Sequence, residues 1–133
     1  MRIAQRTMGL AVWVWVAILF LVPAALVPIG AFICHQRPER SFFVGGIQMA
    51  VCARCAGLYV GAAVAVPLAL LRASTLESGR ARAIALLAGL PTLMTWSLEF
   101  ANIAEFSNAI RFVAAFPLGF AAAWLVLGVM ADN

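Results

Sequence analysis

Apolar residues run almost without interruption from Met8 to Ile29, from Cys52 to Leu71, from Ala83 to Phe100 and from Ala109 to Met130. Each run approaches the roughly 20 residues that a membrane-crossing helix needs. The pattern predicts four spans, at about 8–29, 52–71, 83–100 and 109–130, forming a single transmembrane domain over residues 1–133. The expected fold is all-α: an integral membrane four-helix bundle with a loop between helices 1 and 2, and strand content near zero. Arg2 and Arg6 precede the first run, Trp13 and Trp15 suit interfacial anchors near its start, and Pro23 and Pro28 bend or stop it. A cleavable leader is rejected as a reading of Met1 to Ile29, because the apolar run is longer than such a leader carries.

Within the second run Ala53, Gly57, Gly61 and Ala65 recur every fourth position, and Ala115, Gly119 and Ala123 do the same in the fourth. Small residues at this spacing let two helix backbones approach closely. Pro91 is expected to kink the third span, a distortion that bilayer helices tolerate where neighbours satisfy the freed carbonyl. Three polar stretches separate the spans. The first, Gly30 to Val51, carries Arg37, Pro38, Glu39, Arg40 and the Gly45-Gly46 pair and reads as a turn-rich cap. The second, Arg72 to Arg82, reads as a connector. The third gathers Glu99, Asn102, Glu105, Ser107, Asn108 and Arg111, with Asn108 as a candidate cap of the last helix.

Composition agrees with the pattern: 65% of the residues are hydrophobic, 11% are charged and the mean hydropathy is +1.04. These values exclude an ordinary soluble fold and make the lipid bilayer the first partner. The net charge of +4 would suggest nucleic acid in a soluble protein. Here the arginines flank apolar runs, so they read as topology determinants and headgroup contacts, Arg37 and Arg40 among them, and no nucleic acid is expected. With 133 residues there is room for one small bundle, so a homo-oligomer or a partner membrane subunit is plausible from size alone. Four spans put the first and third connections on one membrane face, opposite the Arg72 to Arg82 connector. Arginine counting favours the outer face for the first connection.

All three cysteines and the single histidine fall in that connection and its junction with the second run: Cys34-His35, then Cys52-Ala53-Arg54-Cys55. Three thiolates and one imidazole make a tetrahedral set of the kind zinc accepts, so Cys34, His35, Cys52 and Cys55 are the candidate ligands of one metal ion. Cys52 and Cys55 lie three apart at the predicted start of a helix, where free backbone N–H groups favour thiolates and Arg54 adds positive charge. A closed four-ligand site would be structural, whereas three ligands with an open position could take water or substrate. Two other readings compete. One is a membrane thiol/disulfide oxidoreductase subunit that cycles Cys52 and Cys55. The other is a metal transport or metal-handling protein, disfavoured by the scarcity of polar residues in the spans. Glu99, ionisable at the end of an apolar run, needs a partner, and Arg111 is the nearest candidate in sequence.

The run Cys34-His35-Gln36-Arg37-Pro38-Glu39-Arg40-Ser41-Phe42-Phe43, then Gly46, Gln48 and Cys52-Ala53-Arg54-Cys55-Ala56-Gly57-Leu58-Tyr59-Val60-Gly61, resembles the signature of the domain-of-unknown-function 2085 family of small prokaryotic membrane proteins. Ser107-Asn108, Arg111 and Gly119 resemble its second polar motif, with Glu99 standing where an aspartate is expected. The resemblance implies a multi-span protein of a prokaryotic cytoplasmic membrane, built around the Cys-His-Gln and Cys-x-x-Cys motifs. It draws Gln36 and Tyr59 in as hydrogen-bonding groups around the ligands, beside Arg54 and a polar wall of Glu99, Asn108 and Arg111.

Overall fold

The computed structural model describes residues 2–71 and 78–132. In chain order they form helices α1 (Arg2–Leu21) and α2 (Pro23–Ile33), a 3-10 turn (Pro38–Arg40), strands β1 (Ser41–Val44) and β2 (Ile47–Cys52), and helices α3 (Ala53–Leu71), α4 (Ser78–Phe100) and α5 (Asn108–Asp132). Four of the helices, all but α2, contain stretches long and apolar enough to cross a membrane: Ile3–Leu21, Ala53–Leu71, Gly79–Phe100 and Asn108–Met130. Residues 72–77 of the polar connector lie outside the described residues, and Arg80 and Arg82 stand in the first turns of α4.

Two features depart from the all-α expectation. The first apolar run divides at Val22, whose φ of −134° and ψ of 56° are not helical, and Pro23 opens α2 at a position where its missing N–H costs nothing. A fifth helix therefore delivers the chain to Cys34. The cap between α2 and α3 is not a loop of turns but an antiparallel β-hairpin, pairing Ser41 with Cys52, Phe43 with Gln48 and Val44 with Ile47. Gly45 and Gly46 have φ of 58° and 81°, the left-handed conformation that a two-residue hairpin turn requires. β2 is the buried strand: Met49, Ala50 and Val51 pack with Leu19, Leu26 and Ala56 in the main apolar cluster.

α3 and α5 make the most intimate helix pair. A Cβ at Gly57 would collide with the Phe112 carbonyl, one at Gly61 with the Phe116 carbonyl, and one at Gly119 with the Leu58 carbonyl. Bulk at any of these positions would push the backbones apart, the reason small residues line the seam. At the far end, buried Gln5 donates to the Leu127 carbonyl at 2.7 Å and ties α1 to α5. α4 packs mainly on α5, where Thr92 donates to the Ala114 carbonyl at 2.7 Å, and much of its remaining surface is exposed and apolar. That surface suits acyl chains.

Candidate metal centre

The sulfurs of Cys34, Cys52 and Cys55 lie within 4.8 Å of one another. Sulfurs placed tetrahedrally at the usual zinc–sulfur distance of about 2.3 Å would sit roughly 3.8 Å apart, so only small side-chain movements separate this cluster from a ligand set. Three elements deliver the three sulfurs: Cys34 follows α2, Cys52 is the last residue of β2, and Cys55 lies in the first turn of α3. Cys52 is thus a strand residue rather than the helical one expected. The strand-to-helix junction turns it toward Cys34, to whose sulfur its backbone N–H donates at 3.1 Å. Outside the spans, the Cys52 thiol falls from an ordinary 9.0 to about 5. The Cys55 thiol hydrogen-bonds to it, against a burial that raises it; the Cys55 backbone, the Cys34 thiol and the His35 charge add to the lowering.

The polypeptide around Cys34 is held by Gln36. Its backbone adopts a φ of 46°, and its Nε2 donates to the Val27 carbonyl at 2.8 Å and the Ala50 carbonyl at 2.7 Å. One side chain therefore joins α2 to β2 directly behind the cysteines. Gly30 makes this possible, because a Cβ there would meet both the Ala50 carbonyl and the Gln36 amide. Gln48 donates to the Gln36 carbonyl at 2.7 Å and to Ser41 Oγ at 3.3 Å, and Ser41 Oγ donates to the Arg37 carbonyl at 2.9 Å. Gly30, Ser41 and Gln48 had no assigned role in the sequence reading.

His35 does not join the sulfurs. It is exposed and lines the cavity that opens onto them. Tyr59, one turn beyond Cys55, is half-buried and meets Trp15 edge-on, with ring centroids 5.9 Å apart. Trp15, expected at an interface, thus packs beneath the cysteines instead.

Beside the sulfurs lies a second cluster. Glu99 is buried between two guanidinium groups, accepting from Arg54 at 2.8 Å and from Arg111 Nε at 2.8 Å, with the Phe106 N–H at 3.3 Å. The expected Glu99–Arg111 pair is present, and Arg54, assigned by sequence to the cysteines, is its other half. α4 ends just beyond Glu99, where Asn102 adopts a φ of 54° and the N–H groups of Asn102 and Ile103 return to the carbonyls of Glu99 and Leu98 at 3.2 and 3.0 Å. This left-handed helix end fixes the carboxylate in place. Asn108 is not the cap of α5: Ser107 Oγ accepts the Ile110 N–H at 3.3 Å. Asn108 instead accepts from Arg111 at 2.7 Å and donates to the Ser41 carbonyl at 3.0 Å, joining α5 to the hairpin.

A cavity of about 470 Å³ opens between the two clusters, lined by the three cysteines, His35, Arg54 and Arg111 among others. This arrangement can hold a soft metal ion on three sulfurs with one coordination position toward the cavity, or support thiol chemistry at Cys52 and Cys55.

Comparison with known proteins places these features in a family. An uncharacterized protein of Methanocaldococcus jannaschii is 30% identical over 110 residues, covering 81% of this chain and 70% of the relative. One from Methanothermobacter thermautotrophicus is 33% identical over 94 residues, covering 66% of this chain and 78% of the relative. No solved structure matches. Residues 34–125, from the first cysteine to the middle of α5, match the family described as predicted membrane protein DUF2085, and the chain belongs to that family.

Proposed function

We propose that the protein is a membrane metal-binding protein in which Cys34, Cys52 and Cys55 hold one ion, zinc by the chemistry of the donor set. The observation that carries this reading is the convergence of three sulfurs from three separate elements to within 4.8 Å. Soft thiolates select thiophilic ions, and an ordinary buried cysteine has no need of two others as neighbours. The exposed His35 at the cavity rim favours three protein ligands plus an open position over the closed Cys₃His set. The bilayer is a prokaryotic cytoplasmic membrane, crossed by the four long helices in a single domain, with the metal at the mouth of the bundle on the outer face. Gln36 and Tyr59 support the ligands, and Arg54, Glu99, Asn108 and Arg111 form the polar wall beside them.

Elemental analysis of the detergent-purified protein tests the reading. About one zinc per chain is expected, lost in the Cys52→Ser, Cys55→Ser double variant and kept in His35→Ala. Loss in His35→Ala as well would restore the closed four-ligand site. A metal-free protein with Cys52 and Cys55 joined as a reducible disulfide would favour the redox reading instead, whose support is the thiolate character of Cys52 against the Cys55 thiol.

A further inference from the structure

The lining of the cavity beside the sulfurs combines two chemistries. One is cationic, formed by Arg40 of the 3-10 turn, Arg54 of α3 and Arg111 of α5. The other is apolar, formed by Phe32 and Ile33 at the end of α2 and Trp96 of α4, with Phe32 itself 91% exposed at the mouth. Glu99 does not line this cavity.

Arg54 and Arg111 share the single carboxylate of Glu99, and among the described residues Arg40 makes no ion pair. Three guanidinium groups and no carboxylate line this cavity, while Glu39 and Glu105 stand with Arg40 and Arg111 on the adjoining one. Arg54 also has a buried Nε with no hydrogen-bond partner. That atom is closed off even from water, so a ligand in the cavity does not reach it. Planar guanidinium groups match the oxygens of phosphate and carboxylate alike, and three of them brought together from separate elements suit the tetrahedral oxygens of a phosphate.

Position narrows the choice. Arg54 lies near the start of α3, Trp96 near the end of α4 and Arg111 near the start of α5, all at one end of their spans. That is the level at which lipid headgroups meet the protein.

We infer that this cavity binds a phosphate group carried on an apolar body, its oxygens held by Arg40, Arg54 and Arg111 and its hydrocarbon lying against Phe32, Ile33 and Trp96. One phosphate oxygen faces the metal's open position; this contact rests on the metal-centre reading, whereas the guanidinium contacts do not. Phosphate chemistry of this kind reaches the cavity either on a lipid or as a free ion.

Calorimetric titration separates the sources. The full chain in maltoside micelles is titrated with short-chain phosphatidic acid and, separately, with inorganic phosphate, with metal content measured on the same samples. Arg40→Gln serves as the control, because Arg40 holds no ion pair among the described residues and its loss should leave the fold and metal content unchanged. The expected result is phosphatidic acid binding at least tenfold tighter than inorganic phosphate, weakened about tenfold or more in Arg40→Gln. Equal affinity for the two would overturn the apolar half of the assignment and make free phosphate the ligand. Binding unaffected by Arg40→Gln, or absent from a metal-loaded protein, would overturn the inference while leaving the metal centre standing. A metal-free protein that still binds phosphatidic acid in an Arg40-dependent way would keep the inference and remove the metal contact.

Discussion

Two clusters of ionisable side chains sit side by side at one end of this protein, and they are finished to different degrees. In the Arg54–Glu99–Arg111 cluster the carboxylate accepts from both guanidinium groups and a backbone N–H, and Arg111 has further acceptors in Asn108 and the Glu39 carbonyl. Its positions are fixed by a helix end on one side and by the hairpin on the other. In the Cys34–Cys52–Cys55 cluster three soft donors face one another, and the Cys52 N–H donates to the Cys34 sulfur. The first cluster is closed by the protein's own groups but for the buried Nε of Arg54. The second brings three sulfurs together with the cavity beside them, and the proposed metal would close it.

The largest effect is expected from opening the closed cluster. Removing Glu99 leaves two largely buried guanidinium groups without their shared carboxylate, and breaking a buried ionic group in this way costs about 3–5 kcal/mol. Glu99→Ala should therefore lower thermal stability in detergent more than any other single change near the cavity, as measured by the loss of helical circular dichroism on heating. Replacing the whole triad with Arg54→Met, Glu99→Leu and Arg111→Met should recover most of that loss, since apolar groups of similar volume often match a buried ionic set. The triple variant sharpens the contrast: it should still bind metal and should no longer bind phosphatidic acid. An unchanged melting curve for Glu99→Ala would show that the triad is solvated in the membrane-embedded protein.

The open cluster should behave in the reverse way, with stability that depends on what is added. A ligand present at a hundred times its dissociation constant stabilises a fold by about 2.7 kcal/mol. Zinc is expected to raise the melting temperature of the wild-type chain and leave that of the Cys52→Ser, Cys55→Ser variant where it was. With chelator present the two proteins should melt within a few degrees of each other. A variant much less stable than the metal-free wild type would make the cysteines ordinary packing residues.

The two clusters also differ in how far the sequence discloses them. The cysteines are conspicuous because the chain has only three, all close to one histidine; the structure gathers the three sulfurs and leaves His35 outside them. The α3–α5 seam is equally open to reading, because only residues without bulk allow the Leu58, Phe112 and Phe116 carbonyls to come so near. The Arg54–Glu99 pair is hidden. Forty-five residues separate its members, and nothing local tells a helix-start arginine to face a different helix. The hairpin was within reach: Gly45-Gly46 sits between Ser41–Val44 and Ile47–Cys52, a two-residue glycine turn between β-branched and aromatic residues. It was obscured by Arg37, Pro38, Glu39 and Arg40 just before it, which weight the whole segment toward loop.

A smaller effect should come from the group that links backbone to cluster. Gln36→Ala removes both donors to the Val27 and Ala50 carbonyls. The expected loss is about 1–3 kcal/mol of stability, the usual cost of leaving one buried acceptor unpaired, here the Ala50 carbonyl. Because Gln36 also fixes the path of the chain beyond Cys34, metal affinity should fall by about 10–100-fold, as it does when groups supporting a ligand are removed. Metal competition with a chromophoric chelator measures this. Unchanged affinity would mean that the Cys52 N–H to Cys34 contact is enough to hold the first sulfur.

The finest distinction is one of protons. Metal binding converts every ligating thiol to thiolate, so protons are released for each sulfur that was not already ionised. Cys52 is ionised above about pH 5, because its hydrogen bonds from Cys55 and Cys34 outweigh its burial. Zinc binding at pH 7 should therefore release one proton fewer per chain than it does below about pH 5, where Cys52 too is a thiol. The sign for the metal-free fold follows from the same shift. The folded value lies below the ordinary 9.0, so the stabilisation from this thiolate is complete above pH 9, shrinks as pH falls and is gone below about 5. Titration in weakly buffered solution, with proton release followed by an indicator dye, gives the count directly. Release of three protons at pH 7 would show that Cys52 is a neutral thiol in the metal-free protein. The open cluster would then hold no charge of its own until the metal arrives.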